Sequence, residues 1–156
     1  SRSPQLVFGV RGVTGMEVTI YGANRSLHSG HYGNWAPPVP GTMLANLLAS
    51  MKDDTGRVLV EGFYDSVSPI GEGERAAIRN LPDIDRELRA SFGLARTEAD
   101  NTSIAERLLL PALTVRGLSS GNVGALARNI IPSTATASLG IRLVKGNDPE
   151  RMKDLV

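Results

Sequence analysis

His28 and His31, the two histidines of the chain, stand three residues apart in SLHSGHYGNWAPPVP, residues 26–40, beside the single tryptophan, Trp35. Two imidazoles at that spacing can share a metal ion on a helical turn. A zinc-like ion would also want carboxylates or a third imidazole, yet no Asp or Glu occurs between Glu17 and Asp53. The same gap leaves Ser26 and Ser29 without a nearby acid to orient an imidazole for nucleophilic catalysis. Gly30, Gly33, Pro37, Pro38 and Pro40 point to a turn-rich loop in place of a helix. On composition alone, His28 caps a turn or satisfies a carbonyl, while Tyr32 and Trp35 anchor the loop on a sheet edge.

Arg142 is the second candidate. In the stretch 134–144, Ala135, Ala137, Leu139, Ile141 and Leu143 alternate with Thr134, Thr136, Ser138, Gly140 and Arg142. A strand places these two sets on opposite faces. Arg142 then stands over a floor of small side chains, a setting suited to clamping a carboxylate; an arginine merely facing solvent fits the pattern equally well. GNVGALARN, residues 121–129, has paired glycines but no strand directly before them, which argues against a phosphate loop.

The elements that must position these residues follow from periodicity. Residues 16–21 alternate as a half-buried strand ending at Gly22. Met43, Leu44, Leu47, Leu48 and Met51 form one stripe of a helix over 42–52 that packs on a sheet. Asp53-Asp54-Thr55-Gly56 makes a turn into a short strand or extended segment at 57–60. From about 61 to 110 the chain reads as a helical insertion, with helices at 72–79, 82–92 and 103–109. Strand character returns at 112–116 and 134–144. Asp148-Pro149-Glu150 then opens a helix, with a capping carboxylate and proline at the first helical position. Strand, helix, strand, strand, helix is an α+β, two-layer ferredoxin-like order with helices on one face of an antiparallel sheet. A last strand is expected to follow, and the start at Ser1 resembles no natural beginning, so we expect a fragment of a longer protein.

With 17 basic and 16 acidic residues, the chain offers no electrostatic footprint for nucleic acid or an anionic membrane. It has no cysteine, which excludes disulfides and thiolate metal sites and fits a cytoplasmic location. No apolar run is long enough to span a bilayer. Repeats and low-complexity tracts are absent.

Taken in order, LHSG at 27–30 after a strand, RNIIP at 128–132 and ASLGIRLV at 137–144 resemble the lid, or dimerisation, domain of the dinuclear zinc exopeptidases. That family includes carnosinase-like dipeptidases, glutamate carboxypeptidases, aminoacylase and succinyl-diaminopimelate desuccinylase. The resemblance runs from about Leu6 to Val156, and DTGR at 54–57, GFYD at 62–65 and the helical insertion are similar to the carnosinase-like branch. It implies that residues 1–156 are a lid domain whose metal-binding catalytic domain is absent, with the two zinc ions held there and none in this chain. The isolated fragment is then inactive. By position, the resemblance implies that His28 reaches the partner protomer's active site and donates a hydrogen bond to the developing oxyanion. Asn129 supplies an amide near the same substrate, some relatives having threonine there, and Arg142 holds the substrate carboxylate. His31 lies outside the family motif. The implied partners are a second copy of the chain, docked through an edge strand and the 42–52 helix, and a small peptide or N-acyl amino acid. The alternative is a free-standing ferredoxin-like module in which the His28 loop binds a small ligand or regulates.

Overall fold

The computed structural model describes residues 10–36, 38–99 and 102–156. Residues 1–9, which hold the unusual start and the expected onset of the resemblance at Leu6, lie outside the described residues, as does Pro37. In chain order the elements are β1 (Gly12–Tyr21), β2 (Leu27–His28), α1 (Ser29–Tyr32), α2 (Pro40–Ser50), α3 (Glu72–Arg79) and α4 (Asp85–Phe92). They continue with α5 (Ile104–Arg107), β3 (Ala112–Ser119), β4 (Ile130–Ile131), β5 (Thr134–Leu143) and α6 (Pro149–Leu155).

β5 is the centre of an antiparallel sheet in the order β1-β5-β3. Its alternation predicts that position, since Ala135, Ala137, Leu139, Ile141 and Leu143 are all buried on one face. α2 and α6 cover that face, packing against β1 and β5. Leu44 of α2, Met152 of α6 and Phe63 from the connecting segment are fully buried with them. Each such side chain contributes about 1.5–3 kcal/mol of apolar burial. The fold is therefore the expected α+β two-layer sandwich, with no helix on the opposite sheet face among the described residues.

Local chemistry accounts for the shifted boundaries. α2 begins at Pro40, two residues before the expected start at 42, because proline's fixed φ suits the first helical turn. α4 starts at Asp85, later than expected, because Asp83 Oδ1 accepts from the Asp85 N–H in a preceding turn. Asp148 Oδ1 caps α6 through the Arg151 N–H at 2.8 Å, as its motif predicts. Of the short strand or extended segment expected at 57–60, the pairing amounts to one bridge, Lys52 to Val58. Here Asp53 Oδ1 accepts from the N–H groups of both Thr55 and Arg57, which curls the chain into a turn and leaves no length for a ladder. Among the described residues, 61–110 hold α3, α4 and α5 and no strand.

Candidate functional site

The segments around His28 and Asn129 meet as a small antiparallel pair, β2 with β4, in which His28 lies opposite Ile130. The N–H of Ser29, the residue after His28, donates to the Asn129 carbonyl at 3.0 Å and ties the two segments together. The loop expectation fails locally, because residues 29–32 form one helical turn, α1. The prolines sit downstream of that turn, and His28 supplies its cap: the Gly30 N–H donates to His28 Nδ1 at 3.1 Å. An imidazole nitrogen that accepts a hydrogen bond carries no proton, so the neutral ring keeps its single N–H at Nε2. His28 is exposed, and its capping role leaves that donor unused among the described residues. His31 stacks beside it, with ring centroids 4.6 Å apart.

Trp35 and Tyr32 do not anchor the loop. Trp35 is 77% exposed and Tyr32 is also exposed; they lean on each other with centroids 6.2 Å apart. The α1 turn carries them outward, away from the sheet edge. The α2 stripe is divided in a similar way: Leu44 and Met51 are buried, whereas Met43 and Leu47 are exposed. On β3, Val115 and Leu118 pair with Leu139 and Ala137 and so belong to the helix-covered face, yet both are exposed at the strand's outer half. The N-terminus of α2 lies beside Ser120, just past β3. An apolar helix flank and an open strand edge are thus presented together.

Arg142 lies at the far end of β5, opposite Val13 on β1 and Ala112 on β3. It is exposed and makes no hydrogen bond or ion pair among the described residues. The small-residue floor expected beneath it is occupied by a different side chain. Arg116 leaves β3 at a bulge between Val115 and Gly117 and lies across Gly140 and Gly15. Its Nη2 donates to the Leu139 carbonyl at 3.0 Å and to Ser138 Oγ at 3.3 Å. Sequence reasoning placed Arg116 only as a strand end; the facing glycines at 15 and 140 were the signal that something must approach the backbone closely. Arg11 adds a third guanidinium at this end. Its Nη2 donates to the Leu110 carbonyl at 2.8 Å, while its Nε is buried without a partner. Burial, with Arg142 and Arg107 nearby, lowers the Arg11 pKa from its ordinary value.

The two zinc ions implied by the resemblance have no ligand set here: among the described residues no three His, Asp or Glu side chains converge. One nitrogen of His28 is already engaged by Gly30. No helix of the described residues is long and apolar enough to cross a membrane.

The described residues form an antiparallel sheet with helices on one face, an exposed imidazole near one end and an exposed arginine near the other, an α+β module. The model of the M20 peptidase dimerisation domain matches residues 8–156, and the chain belongs to that family. It is 29% identical over 155 residues to the Cys-Gly metallodipeptidase DUG1 of Candida albicans, covering 98% of this chain and 32% of that protein. It is likewise 29% identical to the Beta-Ala-His dipeptidase of Mus musculus, over 95% of this chain and 30% of that one. Among solved structures, the M20 family metallo-carboxypeptidase Sso-CP2 of Sulfolobus solfataricus superposes with a TM-score of 0.82 at 30% identity, over 97% of this chain and 40% of that chain. The di-peptidase Dug1p of Saccharomyces cerevisiae gives 0.83 at 26%, over 99% and 32%. The chain spans about a third of the length of these dipeptidases.

Proposed function

We propose that this chain is the lid and dimerisation domain of a homodimeric metal-dependent exopeptidase acting on small peptides or N-acyl amino acids with a free carboxylate. His28 and Asn129 of one protomer and Arg142 of the other meet around a single substrate. The observation that carries this reading is a distance. Thr134 and Arg142 are eight residues apart on one strand, which spans roughly 26 Å at about 3.3 Å per residue. The His28–Asn129 pair lies at the Thr134 end, where Gly22 N–H donates to the Ser133 carbonyl. A dipeptide is only about 7 Å long, so one protomer's His28 and Arg142 do not serve the same molecule. A two-fold dimer brings opposite ends of two lids together, and the unpartnered α2 flank and β3 edge supply a surface for it.

In this reading Arg142 holds the carboxylate by a charge-assisted pair. His28 Nε2–H donates to the scissile carbonyl oxygen as it gains negative charge, and Asn129 offers a second polar contact. The metal ions, which polarise water and carbonyl in such enzymes, belong to another part of a longer protein. The test is hydrolysis by the full-length protein of a dipeptide and of its C-terminal amide. Arg142→Ala should lower kcat/KM for the free acid by about 10- to 100-fold, the scale of a charged hydrogen bond, with far less effect on the amide. Equal losses on both substrates, or none on either, would refute the carboxylate role.

A further inference from the structure

β1, β3 and β5 together contain three charged residues, Glu17, Arg116 and Arg142. All three belong to the sheet face that the helices leave open: Glu17 pairs with Ser138, Arg142 with Val13, and Arg116 crosses Gly140. Glycine inside a strand is disfavoured, yet Gly15 and Gly140 face each other directly in the β1–β5 ladder. Their purpose is legible from what a side chain would meet. A Cβ at Gly15 would stand 2.6 Å from Arg116 Nη2, and one at Gly140 would stand 2.9 Å from Arg116 Cδ. The two glycines make a trough in which the arginine lies flat.

Within that trough one nitrogen of the guanidinium, Nη2, makes both protein contacts, to the Leu139 carbonyl and Ser138 Oγ. A guanidinium has five N–H donors, and those on Nε and Nη1 have no partner among the described residues. Glu17, the one acid of the three strands, makes no ion pair with it among the described residues. Arg116 is therefore a cation fixed in place with donors to spare, an arrangement that lowers the ordering cost of binding an anion. Its stem crosses Gly140, two residues from Arg142 on the same face and roughly 6.5–7 Å along the strand, and its guanidinium ends over Gly15 on the neighbouring strand β1. The α- and side-chain carboxylates of a terminal acidic residue are roughly 4–5 Å apart by bond lengths. Two guanidiniums reaching from positions at that spacing can each hold one of them.

We infer that Arg116 is a specificity-determining residue that binds a second carboxylate, so that the preferred substrates end in glutamate or aspartate. The inference rests on the reading of Arg142 as the clamp for the terminal carboxylate, and it adds the chemistry of the residue that carries that carboxylate.

The experiment compares Gly-Glu with the near-isosteric Gly-Gln as substrates of the full-length protein. Wild type should favour Gly-Glu in kcat/KM, and absence of that preference overturns the inference without any variant. Arg116→Gln should reduce the Gly-Glu to Gly-Gln ratio by about 10- to 100-fold, the range of hydrogen bonds to charged groups, mainly through KM. Arg116→Lys, which keeps the charge and loses the fork, should recover part of the ratio. If Arg116→Gln lowers both substrates equally, the residue is only a brace for the sheet and the inference fails. If instead Arg142→Ala leaves the preference for free acid over amide intact, the function proposed above fails. Calorimetry with glutarate then decides Arg116 separately: binding weakened at least tenfold in Arg116→Gln supports it, and no binding to wild type refutes it.

Discussion

Replacing His28 by alanine in the full-length protein removes two things the structure separates: the Nδ1 acceptor that caps Gly30 N–H and the Nε2 donor that is free for substrate. The cap belongs to a single exposed helical turn, and losing a capping interaction costs about 0.5–2 kcal/mol. An oxyanion donor is worth more in the reaction, about 3–4 kcal/mol, or a 10²- to 10³-fold fall in kcat. His28→Ala should therefore lower kcat by that factor with little change in KM, the mark of a contact made mainly in the transition state. Stability should fall only slightly. Gly30→Ala supplies a graded control, because its Cβ would lie 3.0 Å from His28 Cε1 and 3.2 Å from Nδ1. That crowding should turn the ring by a few tenths of an ångström and reduce kcat by roughly tenfold, since misplacement of a positioned group is costly. Steady-state kinetics on variants matched for folded fraction provide the assay. A rise in KM at constant kcat for His28→Ala would refute the oxyanion argument, as would a kcat loss that vanishes once activity is corrected for unfolded protein.

Two further outcomes follow from the packing. Gly15→Ala should destabilise the domain by about 1–3 kcal/mol, because the new Cβ meets the Leu139 backbone carbonyl at 2.8 Å as well as Arg116; a chemical denaturation midpoint equal to wild type would contradict the register. Met43→Glu combined with Leu47→Glu places charge on the exposed flank of α2 and should convert a dimeric full-length protein to monomer in light scattering, leaving the Leu44 side of the helix packed. A dimer that persists would move the interface elsewhere.

The sequence made the central layer legible because one face of β5 is wholly buried, and burial of one face fixes a period of two. The capping motif was equally local: Asp148 with Pro149 marks a helix start that depends on no distant partner. What could not be read depends on register and on coverage. Arg116 joins the open face beside Arg142 only because a bulge and two cross-strand glycines meet at one level of three strands, and no window of residues contains all of them. The α2 stripe shows the second limit. Periodicity identified an apolar face but not which half the sheet would cover, so Leu44 and Leu47 looked alike in sequence and differ in the fold. Trp35 was misplaced for the same reason, as its large apolar surface predicted burial that the α1 turn prevents.

The central claim, that one site draws His28 from one protomer and Arg142 from the other, is tested most directly by subunit mixing. Full-length His28→Ala and Arg142→Ala proteins are each impaired in both sites of their own dimers. In a hybrid, one site receives intact His28 from the Arg142 variant and intact Arg142 from the His28 variant, while the other site lacks both. Equal mixing with complete exchange makes half the dimers hybrids, each with one good site of two, so activity should rise to about a quarter of wild type. Activity that stays at the average of the two parents, with hybrid dimers demonstrated by differential tags, would contradict the account.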